Sequence, residues 1–369
     1  MAYGQSRRDF IRYTLAGGAA AVAAAKWGRP VLAGAPARGA AGAAAGAASG
    51  PAARGAPAGP NVVLTTKSRV ALTTGEDRAD IAFKALKTFD KEIAAAIGNK
   101  KVVLKPNNVQ VDRVLSCSDA KNLEGALEFL QSIGKIKNTV IAESGAGMPT
   151  LQGFETLGYN PVAEKYGVKM LDLDNEGFEV LPCFDQNDLR PHPCRFSKLL
   201  LDPNTFIISA AKLKTHNLAL VTLSLKNIIF GAPLKFGRVN DKSIVHGGGA
   251  YGIHFNLASL ATRLAPHVAL IDGYQGMEGD GPSNGTPVEH RVCVASMDWL
   301  AADRVGIELM GIDPANVGYG VFAAQNGMGQ YNLDLIDVLG VPLKDHIKKY
   351  QQSPLKDREL QWMQPPAKP

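Results

Sequence analysis

Lys212-Leu213-Lys214-Thr215-His216 sets three potentially cationic side chains two residues apart. On an extended strand that spacing directs all three to one face. Cations packed side by side repel unless an anion or carboxylates neutralise them, so the run predicts an anion site. The competing reading is a strand that has already ended, with its lysines splayed into solvent. Thr222 and Lys226 follow four residues apart, on one side of a predicted helix, so Lys226-Asn227 can face the same crevice. Gly231 then permits a tight exit.

A second cluster is acidic and glycine-rich. Gly276, Gly279, Gly281 and Gly285 permit backbone conformations that bring amides or carboxylates close to a ligand. Asp272, Glu278 and Asp280 could supply oxygen ligands to a hard divalent cation such as Mg²⁺, or a general base. Glu278 could equally pair with one of the lysines and hold two loops together. His216 is the candidate acid/base, with Glu278 or Asp303 orienting it or binding a metal. Other motifs fail. Gly281-Pro282-Ser283-Asn284-Gly285 has the GxSxG spacing, but Pro282 and Pro287 do not suit a strand–elbow–helix. Neither a P-loop nor HExxH is present. His246 and His254, eight apart with glycines between, read as surface or packing residues, and His192 beside Cys194 is a minor metal suggestion.

These residues need elements to position them. Val62–Leu64, Val70–Thr73, Lys101–Leu104, Thr139–Ala142, Val168–Leu173, Phe206–Ala210, Val268–Ile271 and Val292–Ala295 read as strands. Ala79–Ile97, Leu123–Ile133, Leu151–Tyr166, Leu218–Phe230, Ile253–Leu264 and Trp299–Met310 have helical spacing, and Val180–Pro193 reads as irregular. The alternation predicts an α/β fold of βαβ units, a mostly parallel sheet flanked by helices. Five predicted strands end in polar or charged clusters, beginning at Lys105, Glu143, Lys212, Asp272 and Ser296. Ligands of parallel sheets bind beyond the carboxyl ends of strands, so all five clusters are expected around one site.

Composition narrows the function classes. Five cations and one acid among residues 1–30 account for +4 of the formal +6, leaving about +2 for the remainder. Without a basic patch interleaved with aromatics, a nucleic-acid partner is not expected. No apolar run reaches eighteen residues, so stable membrane insertion is not expected either. Ser6-Arg7-Arg8-Asp9-Phe10-Ile11-Arg12 resembles the twin-arginine translocation motif, followed by a mildly apolar stretch from Tyr13 to Ala25. The expected organisation is a signal peptide over residues 1–30, an Ala/Gly/Pro-rich flexible linker over 31–60 and an α/β domain over 61–369. The expected location is periplasmic or otherwise extracytoplasmic, with the Tat translocation machinery as a partner.

Four separated motifs then carry a family resemblance. Lys105-Pro106-Asn107 comes first, and Lys212-Leu213-Lys214-Thr215-His216 with Thr222, Leu225-Lys226-Asn227 and Gly231 second. Asp272-Gly273 with Glu278-Gly279-Asp280-Gly281-Pro282 and Gly285 follows, then Ser296-x-Asp298 with Asp303 and Met310-Gly311. In this order they resemble the domain of unknown function 362 family over roughly Val62 to Pro314. The resemblance implies an α/β domain with these motifs around one site. Many relatives carry a ferredoxin-like cluster domain, but Cys117, Cys183, Cys194 and Cys293 form no CxxC pair, so no iron–sulfur cluster is expected within this chain. The combined expectation is an enzyme or enzyme-like protein holding an anionic small molecule. Lys105, Asn107, Lys212, Lys214, Thr215, Lys226 and Asn227, with Gly279 and Gly281, would form the site. The alternative is a non-catalytic accessory protein serving a redox partner in the periplasm.

Overall fold

The computed structural model describes residues 64–147, 149–237 and 239–364; the expected signal peptide and linker lie outside them. The chain runs through β1 (Ser68–Thr74), α1 (Arg78–Lys87), α2 (Asp90–Ile97), β2 (Lys101–Lys105), α3 (Ala120–Ser132) and β3 (Thr139–Glu143). It continues with α4 (Thr150–Thr156), α5 (Tyr159–Tyr166), β4 (Lys169–Asp172), β5 (Phe178–Asp185), β6 (Arg190–Ser197) and α6 (Lys198–Leu201). Next come β7 (Thr205–His216), β8 (Leu220–Thr222), α7 (Ser224–Gly231), β9 (Lys235–Phe236), β10 (Val239–Asn240), α8 (Lys242–Val245) and α9 (Ala250–Ala261). The remainder is β11 (Val268–Asp280), β12 (Asn284–Ser296), α10 (Trp299–Leu309), α11 (Gly318–Gln325), β13 (Ile336–Gly340) and α12 (Lys356–Glu359).

The main sheet has the order β13-β1-β12-β11-β7-β2-β3-β4, with β8 paired to the end of β7. Every neighbouring pair is parallel except those made by β12 and β8. β7 is central and buried along its whole length. Its alternation divides two cores. Phe206, Ile208 and Ala210 pack with the α1 and α3 side, where Ile81, Leu86, Leu123 and Leu127 lie. Ile207, Ala211 and Leu213 pack with Leu225, Ile228, Leu257 and Val305 on the α7, α9 and α10 side. Each Phe, Leu, Ile or Val among them contributes roughly 1.5–3 kcal/mol by burial, so strand and helices are held by the same side chains.

The α/β fold class is as expected, and several local expectations are corrected. The helix expected over Ala79–Ile97 breaks at Thr88-Phe89, which lets the Phe89 ring turn into the core. Val180–Pro193 is not irregular but forms most of the antiparallel β5–β6 ribbon. Leu218–Phe230 begins as β8 before turning helical at Ser224. The largest correction concerns β12. A three-residue link from β11 can join only antiparallel neighbours, so β12 runs backwards through the sheet. Ser296-Met297-Asp298 therefore sits at the opposite edge from the other four clusters. There Asp298 accepts from Ser68 Oγ at 2.6 Å and caps α10 through the amides of Leu300 and Ala301.

Candidate functional site

Four clusters meet at the carboxyl edge of the parallel strands, and strand alternation distributes their side chains over both faces of the sheet. Lys105, at the end of β2, faces α7. Its Nζ donates to Glu143 Oε2 at 2.8 Å, to the Pro106 carbonyl at 2.9 Å and to Asn227 Oδ1 at 3.1 Å. All three ammonium protons are thereby used. Burial lowers the Lys105 pKa, and Glu143 partly offsets that. Asn227 returns its amide to the Lys105 carbonyl and to Ser209 Oγ. Gly231 is required here, because a Cβ would fall 2.0 Å from Lys105 Nζ. Lys105 and Asn227, expected to bind a ligand, form a closed joint between sheet and helix.

Lys212 lies toward α1, with its Nζ 3.9 Å from Asp272 Oδ2. Asp272 Oδ1 accepts from the Tyr274 amide and lies 3.6 Å from Arg78 Nε, and Arg78 also pairs with Asp119. Lys214 donates to the Ser116 carbonyl at 2.5 Å and lies 3.5 Å from that of Pro282. It has no carboxylate within 4 Å among the described residues, and burial lowers its pKa to about 7. Opposite it in the β7–β8 register, Thr222 has a buried hydroxyl without a partner among the described residues. The Asn107 backbone amide donates to Ser118 Oγ at 2.8 Å, while its side-chain Oδ1 is likewise buried and unpaired among the described residues.

Thr215 Oγ1 donates to the Gly279 carbonyl at 2.9 Å, and a Cβ at Gly281 would meet the Thr215 carbonyl at 2.0 Å. The amides of Gly279 and Gly281 donate to the carbonyls of Gln351 and Gly279. These glycines thus seat the β11–β12 hairpin on β7. The three carboxylates of the expected metal set also diverge. Asp272 faces the α1 side, Glu278 Oε2 accepts from the Gln351 amide, and Asp280 Oδ1 accepts from Asn217 Nδ2. Among the described residues, no group of three or more His, Cys, Asp or Glu side chains is placed to hold a metal ion.

His216 is buried, and its Nδ1 accepts from the Leu218 amide at 3.0 Å. Burial first, then the Lys226 charge, pushes its pKa well below the usual imidazole range. Neither expected orienting carboxylate is bonded to it. Asp303 accepts instead from Ser224 N, Ser224 Oγ, Leu225 N and Tyr319 Oη at 2.6–3.3 Å. Burial raises the Asp303 pKa to about 6 against these hydrogen bonds. It caps α7 from a neighbouring helix and so fixes where Lys226 sits.

Lys226 is the exception among the expected binders. It is 5% exposed, and its Nζ lies 4.0 Å from the Phe230 ring centroid, with no hydrogen-bond acceptor or carboxylate among the described residues. Burial, and secondarily Lys214, pushes its pKa well below the ordinary lysine range. A separate cleft of about 430 Å³ has a lining that includes Leu218, Lys242, His246, Gly248, Gly249 and Arg358, and Lys226 is not among its lining residues. Lys242 is also 5% exposed; it donates to the Phe230 carbonyl at 3.0 Å, and burial lowers its pKa to about 7. His246 packs edge-on to the Phe230 ring at 4.6 Å, and its Nδ1 bonds the Lys242 carbonyl. Burial and the Lys226 charge bring its pKa down to about 4. Lys242, His246, Gly248, Gly249 and Arg358 were not among the expected site residues. The signal available was His246-Gly247-Gly248-Gly249 directly before an apolar helix, a glycine run at a helix amino terminus.

Comparison with known proteins sets these residues in a family. A thylakoid-associated protein, sll1697, of Synechocystis sp. (strain ATCC 27184 / PCC 6803 / Kazusa) is 29% identical over 192 residues, 51% of this chain and 52% of that protein. The chain thus spans about half the length of the curated relative it matches. No solved structure matches it. The model of the domain of unknown function DUF362 matches residues 102–308, more than half of the sequence, and the chain belongs to that family.

Proposed function

We propose that the protein binds an anionic small molecule at the carboxyl edge of its sheet, where α7, α8 and the start of α9 meet. One observation carries this reading: Lys214, Lys226 and Lys242 are buried without a carboxylate within 4 Å among the described residues, whereas Lys105 has Glu143. An ammonium removed from water without a counter-charge is costly and tends to neutralise, and an incoming anion relieves that cost. Anions should therefore raise the melting temperature, by about 2.7 kcal/mol of stabilisation at a hundredfold excess over Kd. Lys226→Met should abolish the response while leaving the unliganded protein at least as stable. A wild type indifferent to phosphate, sulfate and dicarboxylates, or an unchanged response in the variant, would overturn the reading.

Binding without turnover is favoured over catalysis by one feature. His216 has no orienting carboxylate, because Glu278 and Asp303 are committed elsewhere. That supports a binding or accessory role, with His216 as the acid/base residue should the ligand react. Export rests on Arg7-Arg8 and the apolar stretch behind them. Changing both arginines to lysine should hold full-length protein in the cytoplasm on fractionation; undiminished periplasmic recovery would remove the twin-arginine assignment.

A further inference from the structure

We propose that the outward face of the β5–β6 ribbon, with the adjoining β9–β10 hairpin, is the surface on which two copies of this chain associate face to face about a two-fold axis. None of the apolar residues of this face lines the cleft of about 430 Å³.

Strand alternation divides the ribbon. Leu181, Cys183, Cys194 and Phe196 turn inward and are buried in the core. The opposite parity, Phe178, Val180 and Pro182 on β5 with Pro191 and Pro193 on β6, is exposed. Register sets Pro182 opposite Pro193 and Val180 opposite Arg195. Phe236 of β9 stands edge-on to Phe178 with ring centroids 6.0 Å apart, and its cross-strand partner Val239 extends the same face. Phe178, Val180, Phe236 and Val239 are 47%, 53%, 40% and 56% exposed. Single exposed apolar residues need no explanation, but a contiguous patch of this kind marks an interface.

Charge, area and backbone chemistry select a second copy as the occupant. Among the described residues the face carries one charge, Arg195, and it is already neutralised: its Nε and Nη2 donate to Asp241 Oδ2 and Oδ1, each at 2.8 Å. Two copies can therefore close over the face without repulsion and without burying an unpaired charge. The same guanidinium lies 4.5 Å from the Phe236 ring centroid, which fixes a Phe–Arg pair within the patch, the composition of an interface hot spot. The exposed rim holds both signs, Glu176 and Glu179 with Arg190 and Lys198, so two-fold pairing can set acid against base. An anionic bilayer would instead be repelled by the two glutamates and calls for a basic rim. Prolines on both strands lack the N–H groups that an added strand needs, so the partner comes onto the face and not along the edge. With about half of each exposed apolar side chain available, the patch offers roughly 500 Å², and with its rim it reaches the ~800 Å² per partner of a standard interface.

Sedimentation velocity on the full chain across the micromolar range tests this. The wild type should pass from monomer to dimer with rising concentration and form no larger species, because a two-fold interface closes on itself. Val180→Glu sets like charges against each other across the axis and should weaken self-association at least about tenfold with an unchanged melting temperature. Val239→Glu, on the separate hairpin, should act in the same way and guards against a local folding defect in the ribbon. A wild type that stays monomeric throughout would overturn the proposal, as would one that stays monomeric yet floats with anionic vesicles. A dimer indifferent to both substitutions would overturn its placement on this face.

Discussion

Anion binding in the cleft that Lys242 lines should draw protons from solution. Lys242 is held at a pKa of about 7 by burial, against about 10.4 for a free lysine. At pH 8 it is only about one-tenth protonated, and an anion within contact distance that raises its pKa by ~2 units makes it about nine-tenths protonated. Lys242 alone would then take up ~0.8 proton per ligand bound. The unliganded protein carries the converse dependence. Between pH 7 and about 10.4 the unfolded chain binds more protons at Lys242 than the folded one, so stability rises with pH there by up to ~1.4 kcal/mol per unit and is lost as pH falls towards 7. Affinity for the anion should run the other way and weaken as pH rises above 8. Calorimetric titration at pH 8 in two buffers of different ionisation enthalpy reads the uptake directly. Equal binding enthalpies in the two buffers would refute the argument, as would undiminished uptake in Lys242→Met.

Two further outcomes test the supports of the site. Lys105→Met leaves the Glu143 carboxylate buried without its counter-charge and should cost about 3–5 kcal/mol in denaturant melts, part of it recovered when Glu143→Leu is added, since Glu143 also accepts from the Asn108 and Ser144 amides; equal stability of single and double variants would contradict the closed joint. Asp303→Ala orphans the Ser224 and Leu225 amides and the Tyr319 hydroxyl, so it should cost at least about 2 kcal/mol and weaken anion binding in parallel, whereas an unperturbed anion response would free Lys226 from dependence on the α7 cap.

The fold class was legible because β-branched runs alternate with helical spacing, and the carboxyl-edge clusters because polar residues follow those runs directly. What sequence spacing could not fix was the face and the counter-charge of each residue. Register pairs Lys105 with Ser209 and places Lys212 level with Asp272, so the two lysines stand at different heights and address different layers of helix. The turn at Gly281-Pro282-Ser283 reads as a site loop in one dimension, yet it reverses β12 and carries Ser296 and Asp298 to the far edge. Arg358 is more than a hundred residues from His246, and no local pattern joins them. The sharpest contrast is between Lys105 and Lys226, identical in type and both buried. Glu143 lies 38 residues from Lys105 and reaches its Nζ only because β2 and β3 pair in parallel. Among the described residues, nothing brings a carboxylate to Lys226. A lysine's role is thus decided by which chain segment folds against its ammonium, and Lys226 is among those left without an acid, which is why it is proposed to meet a ligand.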